Sequence, residues 1–502
     1  MLLLGVDLGT SAVKVSVVDA ATQVTLASAH FPETEAEILS VQKGWAEQSP
    51  EGWWEDVMQA ILKCHSSSSY DPMDIAAIGI AYQMHGLVIV DKDQQVLRNS
   101  IIWCDSRAVE IGNKAFEEIG EEQCLTHLLN SPGNFTACKL AWVKMNEPEV
   151  YKKIYKVMLP GDFIAMKMTG EITTTISALS EGIFWDFSEN QLSNAITNYF
   201  GFDRTLFPAL RPLFSSHGQL SDSVASRLRL KKGIPVSYKS GDQPNNALSL
   251  NVLEPGQVAA TAGTSGVIYA VSDQLMYDTQ SRVNTFAHVN YTPQRTRTGI
   301  LLCINGAGIF NRWIRQICGS NLSYSNMNEA AAGIAVGSEG VFALPFGNGA
   351  ERMLNNRIVG AHFNGLDLNK HGAAHMFRAV QEGIAFAFRY GLDILRENGV
   401  SPSVVRAGKA NLFLSDVFTM SFVNASGLEV EFYEGDGSRG AAIGAGLGAG
   451  IYSKPSEAFE QRLPDSVAEP TNESYYDDLY GQWKQLLEDR LLEIPESQSQ
   501  LK

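Results

Sequence analysis

Two Gly-Thr-Ser tripeptides, at residues 9–11 and 263–265, are candidates for chemistry in this 502-residue sequence. Glycine lets a backbone approach a ligand closely, and the successive N–H groups of such a turn form a concavity that binds anions. Two of these turns facing each other could hold a polyphosphate from both sides. The alternative is that each merely connects two strands, because turn glycines usually serve geometry.

Asp7 precedes the first turn by two residues, whereas Thr261 stands at the matching place before the second. A carboxylate beside a phosphate-binding turn suits Mg²⁺, which keeps several waters and takes few protein oxygens. The asymmetry therefore predicts a magnesium site at the first turn. A simple hairpin at Asp-Leu-Gly-Thr is the structural alternative.

A second aspartate, Asp242, is followed by Pro244 and an apolar stretch through Leu250. It could be the N-cap of a helix, and a helix N-terminus also keeps a carboxylate ionised. An ionised aspartate can orient an alcohol and accept its proton late in phosphoryl transfer, although its ordinary pKa of ~3.9 makes it a weak base. The residues alone leave two roles open for Asp242, helix N-cap and catalytic base.

Two further clusters end apolar runs, where α/β folds place ligand-binding residues: Gln-Met-His-Gly at 83–86 and Trp-Cys-Asp-Ser-Arg at 103–107. A lone histidine such as His85 is more often structural than functional. Asp105 and Arg107 could bracket a polyol, or could pair with each other at the surface. Neither cluster is decisive alone.

Hydrophobic patterning predicts the elements that position these residues. A β-rich opening segment precedes the first turn, and alternating valines follow it, which is typical of strands. Ser49 and Pro50 predict the N-cap and first residue of a helix. Residues 75–81 form a compact apolar strand that ends at the Gln-Met-His-Gly cluster.

One segment of the sequence is repeated. Residues 5–19 and 259–273 share six of fifteen aligned positions and lie 254 residues apart, about half the chain. A single duplication at this spacing indicates two similar domains, each with a Gly-Thr-Ser turn between strands. A chance match is the alternative, since these residues are common in turns.

Composition limits the classes of function. The chain is 45% hydrophobic and 19% charged, as expected of a globular protein, and its length favours two domains. A net charge of -16 argues against nucleic acid and anionic membranes as partners. Scattered cysteines without zinc-like spacing, and the lack of a signal-peptide pattern or a long apolar run, favour a cytoplasmic protein.

Eight segments in order resemble the FGGY family of carbohydrate kinases, which have the actin-like ATPase fold. Any one of them is a weak signal, but together they are specific. The segments are GVDLGTSAVKV from Gly5, GWAEQSPEGWW from Gly44, GIAYQMHG from Gly79, IIWCDSRA from Ile101, LPGDFIAMKMTGE from Leu159, SGDQPNNAL from Ser240, AGTSGV from Ala262 and GAAIGAGLGAG from Gly440.

The resemblance implies an α/β fold with two actin-like ATPase (ribonuclease H-like) domains flanking a deep cleft. Each domain is expected to have a five-stranded mixed sheet, with domains at residues 1–245 and 246–490 and a polar tail at 491–502. The implied reaction is ATP-dependent, Mg²⁺-dependent phosphorylation of D-xylulose. L-ribulose, another ketose or a polyol is the alternative sugar, and a homodimer is implied only by resemblance.

The resemblance also implies the roles of individual residues. Asp242 is expected to be the catalytic base and to contact the sugar, and Asp7 to organise Mg²⁺. The remaining expected contacts are Gln83, Met84, His85, Asp105 and Arg107 for the sugar, Thr10, Ser11, Lys14, Gly263, Thr264 and Ser265 for the phosphates, and Gly308, Arg312, Gly408 and Asn411 for the adenosine.

The sequence departs from the family pattern in three places. Gly408 to Asn411 replaces a run of glycines, Ala350 interrupts a Gly-Glu-Arg segment, and Gln243 follows the proposed base. A hypothesis from another class is a non-metabolic actin-like ATPase, such as a chaperone or filament subunit. The clusters at 83–86 and 103–107 disfavour it, because such a protein does not need them.

Overall fold

The structure is a computed structural model that describes residues 1–67, 69–319, 322–460 and 462–494. Most of its longer strands belong to two large sheets. In chain order the strands are β1 (Leu2–Leu8), β2 (Val13–Asp19), β3 (Thr25–Phe31), β4 (Glu47–Gln48), β5 (Ile75–Tyr82), β6 (Val88–Val90), β7 (Ser100–Ile101), β8 (Lys156–Met158), β9 (Thr173–Thr174), β10 (Trp185–Asp186), β11 (Gln191–Leu192), β12 (Ala209–Leu210), β13 (Val236–Gly241), β14 (Gln257–Ala262), β15 (Gly266–Ser272), β16 (Asn284–Ala287), β17 (Thr298–Ile304), β18 (Phe342–Phe346), β19 (Gly360–Asn364), β20 (Val404–Gly408), β21 (Val430–Tyr433) and β22 (Ser466–Ala468).

The α-helices vary from single turns to a helix of 25 residues. Residues 495–502 of the predicted polar tail lie outside the described residues. In chain order the helices are α1 (Pro50–His65), α2 (Val109–Ile119), α3 (Glu121–Leu128), α4 (Thr136–Asn146), α5 (Pro148–Tyr151), α6 (Pro160–Thr169), α7 (Ile176–Glu181), α8 (Asn194–Phe200), α9 (Asp222–Leu228), α10 (Asp242–Ser249), α11 (Ala307–Cys318), α12 (Tyr324–Ala332), α13 (Ala373–Glu397), α14 (Asp416–Ser426), α15 (Gly437–Gly448) and α16 (Glu473–Glu493).

Within the described ranges, the first large sheet has five strands in the order β13-β5-β1-β2-β3. β13, β5 and β1 are parallel, and β2 and β3 are antiparallel to their neighbours. Side chains alternate along β2: Val13, Val15 and Val17 pack in the same cluster as α1, and Val18 in the same cluster as α15. The predicted valine strand is therefore correct, and it is buried on both faces.

The Ser-Pro signal begins α1 as predicted. The Ser49 side chain accepts a hydrogen bond from the Gly52 N–H, and Pro50 is the first helical residue. Trp53 and Trp54 are buried in the cluster that joins α1 to the first sheet. The cap therefore fixes where this amphipathic helix starts against the sheet.

The second large sheet repeats the first. Counting the described residues, it has seven strands in the order β16-β17-β15-β14-β20-β21-β22. Its inner strands β17-β15-β14-β20-β21 match β3-β2-β1-β5-β13 in order and in direction. The repeated segments at 5–19 and 259–273 are thus the equivalent hairpins β1-β2 and β14-β15. The expected five strands form the inner sheet, and β16 and β22 extend its edges.

The glycine-rich helix α15 follows the last parallel strand of the second sheet and packs across the first. The helix lies close to the sheet because glycines of β1 and β5 are opposite it. A Cβ on Gly79 would overlap the carbonyl oxygen of Ala441, and a Cβ on Gly5 would overlap that of Ser438. Absent side chains therefore let the helix backbone lie directly on β1 and β5.

No helix in the described part of the chain is both long enough and apolar enough to cross a bilayer.

We expect Gly79→Ala to lower the free energy of unfolding by about 2–4 kcal/mol, because the added methyl group must displace the α15 backbone. Gly481 is the matched control: it lies within α16, and a Cβ there would meet nothing within 4 Å. Gly481→Ala should be neutral or stabilising by about 0.5–1 kcal/mol, since it removes helix-interior glycine. Urea denaturation measures both; equal effects would contradict the packing argument.

Candidate active site

Three parallel strands of the first sheet end at the same level. The register pairs Leu8 with Tyr82, and Tyr82 with Gly241. The residues that follow these strand ends are the first Gly-Thr-Ser turn, the Gln-Met-His-Gly cluster and Asp242. Motifs far apart in sequence therefore meet at the carboxyl edge of one sheet, as parallel sheets require.

Asp242 is the first residue of α10, and Gly241 occupies the N-cap position. The prediction that Asp242 itself is the N-cap is therefore wrong by one residue. The physical reason is that β13 continues to Gly241 and leads directly into the helix. The carboxyl of Asp242 consequently projects from the first helical turn at the end of the strand.

The electrostatic environment of Asp242 also differs from the expectation. Burial and the negative charge of Asp7 raise the pKa of Asp242 to about 7, although hydrogen bonds from Gln243 act in the opposite direction. The sequence predicted that the helix N-terminus would keep this carboxyl ionised. The half-buried position of Asp242 costs the carboxylate part of its hydration, and this loss outweighs the helix dipole.

Asp7 is the second perturbed carboxyl. Burial and the charge of Asp436 raise its pKa to about 6, and Lys14, its register partner on β2, lowers it. Gly437, the first residue of α15, lies so close that a Cβ would overlap the Asp7 carboxylate. Two acidic groups and an open backbone suit a divalent cation with few protein ligands. Among the described residues no cluster of three or more potential ligands occurs, so the rest of such a shell would come from water and phosphate.

A cavity of about 450 Å³ opens beside Asp242 and receives side chains from both domains. Of the residues predicted to contact a sugar, Met84, His85 and Asp242 line it. Ser265, from the second Gly-Thr-Ser turn, lines it as well. The other lining residues are Trp103, Asn134, Phe135, Gln243, Val267, Asn284, Leu301, Cys303 and Arg352.

Gln83 does not line this cavity. Its Nε2 donates to Gln48 Oε1 at 2.9 Å, and its Oε1 accepts from Thr10 Oγ1 at 3.4 Å. Thr10 Oγ1 also accepts from Trp103 Nε1 at 2.9 Å. The first turn is thus tied to a wall of the cavity through Trp103, with Gln83 behind it.

Asp105 and Arg107 are not at the cavity either. They pair with each other, as one alternative expected, but in the interior rather than at the surface: Asp105 is fully buried and accepts from Arg107 Nη2 at 2.7 Å. The guanidinium of Arg107 also lies 3.8 Å from the ring centroid of Trp45. The backbone carbonyl of Asp105 accepts from Asn134, which does line the cavity, so the pair supports the wall from behind.

Arg352 is a cavity residue that sequence reasoning passed over. Its Nη1 donates to Asn284 Oδ1 at 3.0 Å. Its neighbour Glu351 accepts from the N–H groups of Asn305 and Gly306, at 3.0 and 3.1 Å, just before α11. The interrupted Gly-Glu-Arg segment was the available signal, but it could not show that this loop returns to a site more than a hundred residues earlier in the chain.

A second cavity, of about 290 Å³, lies beside the second Gly-Thr-Ser turn. The Gly308 N–H donates to the Gly263 carbonyl at 3.1 Å, which holds the start of α11 against this turn. The predicted residues Gly263, Thr264, Gly308, Arg312 and Asn411 all line the cavity. Sequence reasoning missed Ala262, Ile309, Asn311, Tyr324, Asn328, Leu412, Leu414 and Ser415.

Gly408 is not part of the lining. It ends β20, and its carbonyl accepts from the Ala410 N–H at 2.8 Å. It therefore begins the loop that delivers Asn411 to the cavity. Ser11 of the first turn and Lys14 of β2 have exposed side chains, and the Ser11 carbonyl accepts from the Ala36 N–H at 2.7 Å.

Comparisons with known proteins identify the family of the chain. The model of the N-terminal domain of the FGGY family of carbohydrate kinases matches residues 2–249, and that of the C-terminal domain matches residues 258–408. Xylulose kinase of Escherichia coli (strain K12) is 30% identical over 474 residues, which are 93% of this chain and 94% of that protein. Xylulose kinase of Bacillus subtilis (strain 168) is 30% identical over 481 residues, or 93% and 92% of the two chains.

The fold comparison gives the same result. The crystal structure of a xyloylose kinase from Brucella ovis has a TM-score of 0.86 and 26% identity, and the match covers 97% of this chain and 99% of that one. The resemblance drawn from eight short segments is therefore confirmed over nearly the whole length. This chain belongs to the FGGY family of carbohydrate kinases, which phosphorylate sugars with ATP.

Proposed function

We propose that this kinase transfers the γ-phosphoryl group of ATP to the 5-hydroxyl of D-xylulose. The relatives from Escherichia coli and Bacillus subtilis carry the name xylulose kinase. One observation supports the proposal most: Asp242, Met84, His85 and Ser265 line a single cavity. A sugar held there has a proton acceptor and a phosphate-binding turn at the same opening.

Asp242 accepts the proton of the attacking hydroxyl. A general base is most effective when its pKa lies near the operating pH, and burial raises the pKa of Asp242 in that direction. The proton moves late, because the loose transition state first makes the hydroxyl acidic. Most of the rate acceleration then comes from positioning of the two substrates.

The triphosphate lies between the two Gly-Thr-Ser turns, and the adenosine occupies the cavity lined by Gly308, Arg312 and Asn411. Backbone N–H groups of the turns bind the phosphate oxygens. Lys14 adds a positive charge at the first turn. The two domains close on the substrates and exclude water, which limits hydrolysis of ATP.

Asp7 would hold the Mg²⁺ ion. The nearby Asp436 makes the site more negative and helps to raise the pKa of Asp7, so a cation relieves the repulsion between the two carboxylates. Bound Mg²⁺ supplies neutralisation of the charge on the phosphate oxygens. The charge of Asp7 also raises the pKa of Asp242, so a cation at Asp7 would lower the pKa of Asp242 as well.

The proposed substrate is tested by ADP release with MgATP and a panel of D-xylulose, L-ribulose, other pentuloses and polyols. We expect D-xylulose to give the highest kcat/KM. A different sugar as the best substrate would retain the kinase and reject D-xylulose. Absence of stimulation by every sugar would favour the non-metabolic ATPase instead.

Asp242→Asn should lower kcat by about 10²–10⁴-fold, since it removes the base while preserving the shape of the side chain. Binding of ATP, measured by calorimetry, should stay within about threefold because the adenosine cavity is unchanged. Near-normal turnover in this variant would exclude Asp242 as the base.

The raised pKa of Asp242 also predicts how stability changes with pH. Its folded-state pKa lies above the unfolded value, so its contribution to stability is complete at low pH and is lost as pH rises towards about 7. Asp242→Asn does not have this loss. Without nucleotide and Mg²⁺, the variant should therefore gain stability over wild type at about pH 8 relative to about pH 5, by at most ~3 kcal/mol. Urea midpoints that differ equally at both pH values would contradict the assignment.

A further inference from the structure

His85 has an unusual backbone. Its φ is 62°, in the left-handed region that residues other than glycine seldom adopt. Such a conformation persists only where surrounding groups hold it, and it is concentrated at functional sites. In this structure the N–H, the carbonyl and the ring Nδ1 of His85 all have protein partners.

Glu181, the last residue of α7, provides two of these partners. Its Oε2 accepts from the His85 N–H at 3.3 Å, and its backbone carbonyl lies 2.9 Å from His85 Nδ1. Its Oε1 accepts from the hydroxyl of Tyr82 at 2.5 Å, at the end of β5. Glu181 is 1% exposed, so a group left without its partner there has no water to replace it.

Lys139, from α4, provides the third partner. Its ammonium group donates to the His85 carbonyl at 2.8 Å and to the Ile102 carbonyl at 3.0 Å. Ile102 directly precedes Trp103, another cavity residue. This fully buried lysine therefore connects two walls of the cavity. Its pKa falls to about 7 because burial disfavours the charged form.

These contacts decide which atom of His85 can meet a ligand. Since a carbonyl can only accept, Nδ1 carries the proton and donates to Glu181. Burial and the nearby charge of Lys139 lower the pKa of His85 to about 3, which keeps the ring neutral. The acceptor nitrogen, Nε2, is then the ring atom available to a sugar hydroxyl.

We propose that Glu181 and Lys139 form a clamp, here called the His85 clamp, that positions His85 to accept a hydrogen bond from the sugar. The clamp fixes the backbone from both sides and fixes the tautomer of the ring. The inference rests on the proposed function, in that it requires the sugar to bind beside His85. Both residues act through His85 and are positioning residues, not catalytic ones.

A purely structural role is the competing explanation, because any buried hydrogen-bonded group stabilises a fold. The two explanations differ in one respect. If Glu181 acts through His85, its removal has little effect on sugar binding once His85 is absent. If it acts on the fold in general, its effect is the same with or without His85.

The test is a double-mutant cycle with Glu181→Ala and His85→Ala, in the full-length protein. The dissociation constant for D-xylulose is measured by calorimetry, and the KM for ATP is measured in parallel. We expect Glu181→Ala to weaken sugar binding by about 10-fold in the wild-type background and by less than about 2-fold in the His85→Ala background, with the KM for ATP unchanged. Equal weakening in both backgrounds overturns the clamp.

Glu181→Gln is the conservative variant. Glutamine keeps the shape of the side chain, and its amide oxygen can accept from the His85 N–H while its amide nitrogen donates to the hydroxyl oxygen of Tyr82. Sugar binding should therefore stay within about threefold of wild type. A Gln variant as impaired as the Ala variant contradicts the proposed hydrogen bonding.

Glu382 is the matched control. It is a buried glutamate, 3% exposed, that accepts from the Gly337 N–H and from Ser338 in the second domain. Glu382→Ala should reduce thermal stability, and its effect on sugar affinity should be the same whether or not His85 is present.

Should Glu181→Ala fail to fold, the cycle with Lys139→Met and His85→Ala decides by the same criterion. If His85→Ala itself leaves sugar affinity unchanged, the sugar assignment and the clamp both fail, whereas additivity alone rejects only the clamp.

Discussion

The close contact between α15 and the first sheet is the constraint on which the active site depends. This helix belongs in sequence to the second half of the chain, yet its backbone lies directly on β1 and β5 because Gly5 and Gly79 have no side chains to separate them. The start of α15 also meets α10, where Asn245 Nδ2 donates to the Gly437 carbonyl at 2.8 Å. The N-terminal ends of these two helices bring Asp242 and Asp436 to the same junction, where Asp7 lies near the end of β1.

That junction concentrates negative charge in a place with little water. Burial raises the pKa values of both Asp7 and Asp242; the charge of Asp436 adds to the rise at Asp7, and the charge of Asp7 adds to the rise at Asp242. Under the proposed function, this negative charge would suit a substrate that arrives with a divalent cation.

The sequence predicted the strands and helices better than it predicted the positions of the side chains in and around the cavity. Repeated hairpins, the α1 cap and the convergence of motifs at strand ends follow from local patterns, so they could be read from the residues. The interior position of Asp105 and Arg107 could not, because a charged pair on the surface and one stacked on Trp45 have the same local sequence. The pKa of Asp242 was also out of reach, since it depends on how completely Asp7 and the surrounding protein exclude water. Arg352, Glu181 and Lys139 come from distant elements, and only tertiary packing brings Arg352 to the cavity and the other two to His85.

The cavity beside Asp242 is lined from both halves of the chain: Met84, His85 and Asp242 belong to the first half, and Ser265 and Arg352 to the second. Under the proposed function, a sugar in this cavity would touch both halves of the chain and link them as well as react. A molecule too short to reach both sides would lose the contacts of one half, so the span of the cavity would select for the length of the sugar.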